Sequence, residues 1–317
     1  MRNVLLAAAA VFAMAVPAVA SADTAADYNL FVLKDMTYRG SDTEGRVAVG
    51  GNANLTGYSV GDKANASDVN LVVGGNLTTN GGSVKGKAIV GGTVSTTSYD
   101  ASGIQPSGTP VPVNFVSEGA RLTALSAFLD TYANTGTVDS VCYGAPGTNG
   151  CQVTFNATKA GLNVFDIDTL LLSDTNTINI NLGAGSTVLI NVSGTNVRLD
   201  GGMALNGGNT GQVLFNFHDA TSFVVGNMDL RGSALAPTAV YSGGGGVING
   251  QLIVDSFTGD TWGGIGGTQI NKTKFVGDLL TISPPPVPEP ATWALMITGF
   301  GMAGAMLRRR RSALATA

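Results

Sequence analysis

Apolar and polar positions change rhythm several times along the chain, and each rhythm predicts a different element. Val4 to Val16 is an apolar run interrupted by no charge. Between residues 45 and 94, short β-branched runs are cut by glycine pairs: Gly45-Arg-Val-Ala-Val-Gly-Gly-Asn52, Asn70-Leu-Val-Val-Gly-Gly-Asn-Leu77 and Lys87-Ala-Ile-Val-Gly-Gly-Thr-Val94. The pairs at 50/51, 74/75 and 91/92 lie 24 and 17 residues apart, which suits successive turns of a β-solenoid with an occasional longer loop. No such rung buries its apolar face alone, so each run must stack on the next. Glycine takes the corners, where φ is positive or backbones crowd.

After a Pro-rich connector from Gln105 to Val113 the period changes. Leu122, Leu125, Phe128, Leu129 and Tyr132 recur at three- and four-residue steps, predicting one helix over about 117–134, with Ser117 as its cap and Asn134 to Gly136 as its stop. Its apolar stripe needs a partner, and the side of the β body supplies one. Strand-like runs then return: Gln152 to Phe155, Gly161 to Phe165, Thr177 to Asn181, Ser186 to Val192, Gln212 to Phe217, Ser222 to Val225, Ala239 to Tyr241 and Gln251 to Val254. Asn-Gly pairs at 80/81, 149/150, 206/207 and 249/250 are turn signals. The same strands would also suit a sandwich. The glycine-paired rungs run in one sense, which favours the solenoid.

Both ends of the chain depart from this body. Arg2, the apolar run and a small-residue site at Ala18-Val-Ala20 or Ala20-Ser-Ala22 predict a signal peptide over residues 1–22. At the other end, Val287, Pro288, Glu289 and Pro290 precede the 17 uncharged residues from Ala291 to Leu307, which are followed by Arg308, Arg309, Arg310 and Arg311. As a helix this run extends about 25 Å, just enough for a thin bilayer, and the arginines hold its end in the cytoplasm. A plain membrane anchor explains the span and the arginines. The Pro-Glu-Pro signature, the glycines at 299, 301 and 304 and the terminal arginine block together resemble a PEP-CTERM sorting signal. That resemblance implies a bacterial exosortase-type protease as partner and a transient inner-membrane handle that is removed.

Removing both ends changes the charge. Arg2 and Arg308 to Arg311 are five of the 17 basic residues and Glu289 is one of the 21 acids, leaving 12 against 20, a net of −8. Nucleic acid and anionic lipid need a basic footprint, so neither is expected as a partner. Gly is 45 of 317 residues and charged residues only 12%, a composition of glycine-turned β structure decorated by Asn and Thr. Cys142 and Cys151, the only cysteines, lie nine apart in a loop-like segment. Export predicts a disulfide between them, and two thiols without a neighbouring histidine argue against a metal site.

Two further blocks are specific. Tyr28-Asn-Leu-Phe-Val-Leu with Asp42-Thr-Glu-Gly-Arg-Val-Ala-Val-Gly-Gly-Asn52, and Gly232-Ser-Ala-Leu-Ala-Pro-Thr-Ala239 with Ile248-Asn-Gly-Gln-Leu-Ile-Val254, resemble the opening and closing motifs of the choice-of-anchor A domain. The family often has Asn where this chain has Thr238. The resemblance implies an adhesive bacterial surface protein with a β-helix body and no catalytic residues to carry over.

Catalytic constellations are sparse. His218 is the single histidine, which excludes a two-histidine zinc site, and its place at a strand end beside Asp219 reads as a surface turn rather than part of a Ser-His-Asp triad. Asp166, Asp168 and Asp174 offer oxygens of the kind calcium takes, but calcium-solenoid spacing is absent, and solvated turn acids are the simpler reading. No cofactor is expected. The glycine run from 243 to 246 lacks the Lys-Ser/Thr ending of a phosphate loop. Thr78-Thr79, Thr96-Thr97 and Thr175-Asn-Thr177 suggest an ice- or crystal-binding face, without a regular Thr-x-Thr ladder.

The expected architecture is therefore all-β: a right-handed β-solenoid with one flanking α-helix, a signal peptide and a C-terminal hydrophobic helix. Residues 1–22 form the signal, 23–283 the solenoid domain, and 284–317 the Pro-rich linker and sorting segment. The expected function is that of an exported, non-enzymatic cell-surface or matrix protein with an adhesive role and an unassigned glycan or surface ligand. A β-helix polysaccharide-active enzyme is the alternative, and an ice-binding-like protein a further one.

Overall fold

The computed structural model describes residues 23–99, 103–105, 109–259 and 267–279. The chain divides into two compact units, Met1–Gly277 and Asp278–Ala317, and the described residues lie almost wholly in the first. They are mostly β, 51% strand against 11% helix, so the fold must be explained by strand pairing.

Nearly all pairings are parallel, and they form stacked ladders. The first ladder runs in spatial order through Gly161–Asp168, Ser186–Ser193, Val213–Asn216, residues 233–236, residues 252–254, Leu30–Val32, Val47–Val49, Val69–Val73 and Lys87–Val90. A second ladder runs beside it through Asn196–Leu199, Ser222–Val225, residues 240–243, residues 256–259, Met36–Thr43, Ala53–Val60, Leu77–Val84 and Val94–Thr97. On the third side, Cys151–Ala157, Thr175–Leu182 and Gly202–Asn206 pair in parallel, with Val138–Cys142 added antiparallel at the edge. Short strands Asp229–Leu230, Val247–Ile248 and Gln269–Ile270 continue that side onto Thr43.

The stacking order is not the chain order. Leu30–Val32 pairs with Val47–Val49 on one side and with residues 252–254 on the other. The chain thus begins mid-stack, builds to one end, and returns along helix α1 (Phe115–Asp130) to the opposite end. It then builds inward until its last rungs meet its first. The glycine-paired rungs of the sequence are one half of this stack.

A continuous core runs through the stack, and an aromatic column within it crosses the junction between the halves. Phe217, Phe223, Tyr241, Phe257, Tyr38 and Tyr58 follow one another at centroid distances of 4.5, 5.4, 4.8, 4.5 and 5.7 Å, within the range where tilted and stacked rings attract. The Phe257–Tyr38 contact joins the last rung to the first. Leu30-Phe-Val32, Val47-Ala-Val49 and Leu71-Val-Val73 are buried at every position, as strands covered on both faces should be.

Helix α1 supplies that outer cover along part of the first ladder. The Phe31 and Phe115 rings lie 5.4 Å apart. The Ser126 hydroxyl donates to Asn216 Oδ1 at 2.6 Å, Asn216 Nδ2 donates to the Ser126 carbonyl at 2.9 Å, and Asn191 Nδ2 donates to the Leu129 carbonyl at 3.0 Å. The helix begins at Phe115, earlier than Ser117 suggests. Asn114 is the cap, its side chain accepting from the Ser117 N–H at 3.1 Å. Near the N-terminal end, Glu118 accepts from the Ala25 N–H at 2.7 Å and from Arg121 through both carboxylate oxygens.

Two local expectations change. Leu170-Leu-Leu172 belongs to a short second helix, α2 (Thr169–Ser173), capped by Asp168, which accepts from the Leu171 N–H at 2.8 Å. It stands where the next turn has the second-ladder strand Asn196–Leu199. Asn80-Gly81 is no hairpin turn. It lies inside Leu77–Val84, where Gly81, at φ 71°, bends the strand from the second side of the stack to the third.

Candidate functional site

The repeated Gly-Gly corners explain how four N-terminal rungs become so regular. A Cβ on Gly74 would lie 2.3 Å from the Gly50 carbonyl oxygen, and one on Gly91 would lie 2.4 Å from that of Gly74. None of these glycines has positive φ, so crowding between stacked backbones is the requirement here. The residue after each pair locks the register. Asp35 Oδ1 accepts from the Asn52 N–H at 2.6 Å, Asn52 Oδ1 from the Asn76 N–H at 3.0 Å, and Asn76 Oδ1 from the Thr93 N–H at 2.8 Å.

Beyond that corner, the second ladder alternates inward and outward positions. Met36, Ala53 and Leu77 are buried, with Val94 after them at the open end of the ladder. The next residue of each rung points outward, giving the register row Thr37, Asn54, Thr78 and Ser95. Two residues further along lies the row Arg39, Thr56, Asn80 and Thr97. With the Asp35, Asn52, Asn76 and Thr93 corner row, four rungs display a polar grid. Neighbouring rungs are about 4.8 Å apart, and positions along a strand about 6.7 Å apart.

The hydrogen bonding of this grid sets it apart. The side chains of Thr37, Asn54, Thr56, Thr78, Asn80, Ser95 and Thr97 make no hydrogen bond to the described protein, and all except Thr56 are well exposed. Only Asp35 and Arg39 carry charge, both at the first rung and of opposite sign.

The face changes where the C-terminal rungs take over. In the same row as Thr37 come Thr258, Ser242 and Val224. Thr258 donates its hydroxyl to the Tyr241 carbonyl at 3.0 Å, Ser256 donates to Asp255, and Val240 is an exposed apolar position. Ser242 in this row and outward Gln152, Thr154 and Asn179 on the third side are unbonded as well, and the N-terminal rungs differ in carrying such groups in adjacent rows across four rungs.

Elsewhere, Asn side chains hydrogen-bond to one another. On the third side, Asn206 Nδ2 donates to Asn181 Oδ1, Asn181 Nδ2 to Asn156 Oδ1, and Asn156 Nδ2 to Asp139, at 2.8, 2.7 and 2.9 Å. Under α1, Asn216 Nδ2 donates to Asn191 Oδ1 at 2.9 Å.

The residues singled out for chemistry are dispersed. His218 lies between Asp130 at the end of α1 and Asp219, with nitrogen–oxygen distances of 3.1 and 3.3 Å. It therefore braces a helix end. Asp166 approaches Asn191, Asp168 caps α2, and Asp174 accepts from the Asn149 N–H at 2.6 Å. Among the described residues no group of three or more His, Cys, Asp or Glu side chains is placed to hold a metal ion. A cleft of about 580 Å³ beside α2 is lined by Thr169, Leu170, Ser173, Asp174 and Asn196, among others. Cys142 and Cys151 are directly opposed on antiparallel strands and joined by a disulfide.

Val287 to Pro290, the hydrophobic helix expected after them, Arg308 to Arg311 and the signal peptide all lie outside the described residues. Among those described, no helix is long and apolar enough to cross a membrane.

Comparison with known proteins adds family membership to this geometry. The family described as "Putative Ice-binding-like adhesive domain" matches residues 21–267. The chain belongs to this ice-binding-like adhesive family. Its match spans the stack, α1 included, except for the last short strand Gln269–Ile270, and its description differs from the choice-of-anchor A domain that the motifs resemble. A PEP-CTERM protein-sorting motif matches residues 286–311, which implies export, sorting to the cell surface and processing by an exosortase-type system.

Comparison with curated proteins gives no match. Among solved structures, an ice-binding protein from the Antarctic ascomycete Antarctomyces psychrotrophicus is similar at 15% identity and a TM-score of 0.39, over 80% of this chain and 99% of that one. The ice-binding protein_1 DUF3494 domain of Shewanella frigidimarina is similar at 14% identity and 0.39, over 80% and 96%. At these values the likeness to either structure carries no functional weight. Thr78 and Thr97 stood out in the sequence as parts of Thr pairs. Thr37, Asn54, Thr56 and Asn80 did not, although the alternation Ala53, Asn54, Leu55, Thr56 carries the signal of a half-buried strand.

Proposed function

We propose that this exported surface protein is an adhesin, and that the polar grid of its N-terminal rungs is the contact face. In this proposal the stack is a right-handed β-solenoid of the choice-of-anchor A kind, spanning about residues 23–283. The sorting segment serves as a temporary inner-membrane handle and is cut away near Pro288 to Pro290. No catalytic step is assigned to it.

One observation carries the proposal: seven outward hydroxyl and amide side chains in register make no hydrogen bond within the described protein. Polar groups that hold a fold together are partnered inside it, as the other Asn ladders are. Repeated shallow contacts on a rigid ladder add through multivalency.

The test is attachment of cells carrying Asn54→Ala, Thr78→Val and Asn80→Ala together. Attachment should fall at least tenfold with surface display unchanged, and wild-type attachment would overturn the proposal. Turnover of an extracellular glycan by the purified region from Asp23 to Pro286 would replace adhesion with the enzyme alternative. An ice-binding role draws on the Thr side chains of the same face. No rung pairs Thr at both outward positions, since they read Thr37/Arg39, Asn54/Thr56, Thr78/Asn80 and Ser95/Thr97. A thermal-hysteresis measurement on the purified protein should accordingly show no activity.

A further inference from the structure

The grid is nearly square, about 14 Å along the stack and about 13 Å across it, but its two repeats differ, about 4.8 Å between rungs against about 6.7 Å between outward positions on a strand. Along the stack each row crosses four rungs without interruption. Across it, three outward positions are followed by a corner where Gly40, Gly57 and Gly81, with φ of 62°, 55° and 71°, turn the chain to the third side of the stack. A linear ligand whose own repeat is close to the rung spacing therefore lies along the stack and meets one set of side chains per rung.

Past the first rung, with its Asp35 and Arg39, the chemistry on offer is uncharged. Asn amides donate and accept, Thr and Ser hydroxyls do both, and Thr methyl groups give apolar contact between them. The exported chain, with 12 basic and 20 acidic residues, repels polyanions. An extended, equatorially linked pyranose chain fits on each count. Its hydroxyls pair with amides and hydroxyls, its C–H faces rest on methyl groups, and each ring advances by nearly one rung spacing.

We infer that the grid of Thr37, Asn54, Thr56, Thr78, Asn80 and Ser95 binds a neutral β-1,4-linked polysaccharide lying parallel to the stack, with about one sugar ring per rung. This rests on the grid being the adhesive face.

The experiment is calorimetric titration of the exported protein with cello-oligosaccharides of two, four, six and eight rings. Affinity should rise at least tenfold from two rings to four, then by less than threefold beyond four, because the grid has four rungs. The Asn54→Ala/Thr78→Val/Asn80→Ala variant should bind the four-ring sugar at least tenfold more weakly, with an unchanged thermal midpoint. A control changing Gln152→Ala and Thr154→Val on the third side should bind as wild type.

Affinity independent of ring number, or tighter binding to polygalacturonate than to the neutral chain, would overturn the inference. If the wild type ignores neutral oligosaccharides while the triple variant still loses cell attachment, the glycan class is wrong and the adhesive face survives. If the variant attaches normally, both fail.

Discussion

Asn216 and Asn54 are both outward positions in a register row of their ladders, yet they play opposite parts. Asn216 is fully buried, and its amide closes bonds with Ser126 and Asn191 that fasten α1 to the stack. Asn54 is exposed and bonds to nothing in the described protein. The asparagine itself is the same, and the available partners differ. Where a helix covers a ladder, the amide becomes internal glue. Where the ladder faces solvent, the same group stays available to a ligand. Asn76 stands between the two, since it is exposed but its oxygen holds the next rung at Thr93.

This ordering can be broken by measurement, beginning with the largest effect. Asn216→Ala should cost about 2–3 kcal/mol in chemical denaturation, because it leaves buried partners unpaired and a small cavity. A loss under about 0.5 kcal/mol would show that α1 docks by apolar contact alone. Glu118→Gln should cost about 1–2 kcal/mol, since Glu118 is buried and bonds to Arg121 and the Ala25 N–H.

Glu118 also predicts a pH dependence. Burial pushes its pKa up, but the hydrogen bonds from Arg121 and the Ala25 N–H, with the Arg121 charge, outweigh burial and hold it below the usual carboxylate range. A depressed folded pKa stabilises above the unfolded value of about 4.3, and that stability fades as pH falls through the folded value. Denaturation midpoints of wild type and Glu118→Gln should therefore converge in acid. A constant gap down to low pH would contradict the assignment.

Asn76→Ala should cost about 1 kcal/mol, the worth of its bonds to Thr93. Asn54→Ala and Asn80→Ala should each change stability by less than about 0.5 kcal/mol while weakening attachment. Loss of stability at either position would mean that the grid is structural after all.

The glycine-paired rungs and α1 were legible because their signals are local. Val47-Ala-Val49 and Leu71-Val-Val73 are buried on both faces, so their apolar runs are continuous, and the helix carries a three- and four-residue stripe. The outward-facing second-ladder strands were harder to see. Met36–Thr43, Ala53–Val60 and Leu77–Val84 contain glycine, Asn and Thr, which resemble loop composition, and they bend mid-strand at Gly40, Gly57 and Gly81. Their inward residues, Met36, Leu55 and Leu77 among them, alternate with polar ones over only about four positions, as in Ala53-Asn-Leu-Thr56, a signal too short to stand out from loop sequence.

Helix α2 was hidden because Leu170-Leu-Leu172 is too short to reveal a period. The stacking order was not legible at all. Pairing of Leu30 with Leu252 is a contact between chain ends, and no local pattern encodes it. The grid was visible only in pieces, since a row across four rungs draws its residues from positions 17 and 24 apart.

That pairing of first and last rungs has a kinetic meaning. During synthesis the N-terminal rungs emerge first, but one side of Leu30–Val32 stays open until residues 252–254 arrive, almost at the end of the body. The polar grid is built on rungs that cannot be sealed against their neighbours until then. Contacts so distant along the chain make folding slow. The stack thus closes only once nearly the whole body of the chain is available.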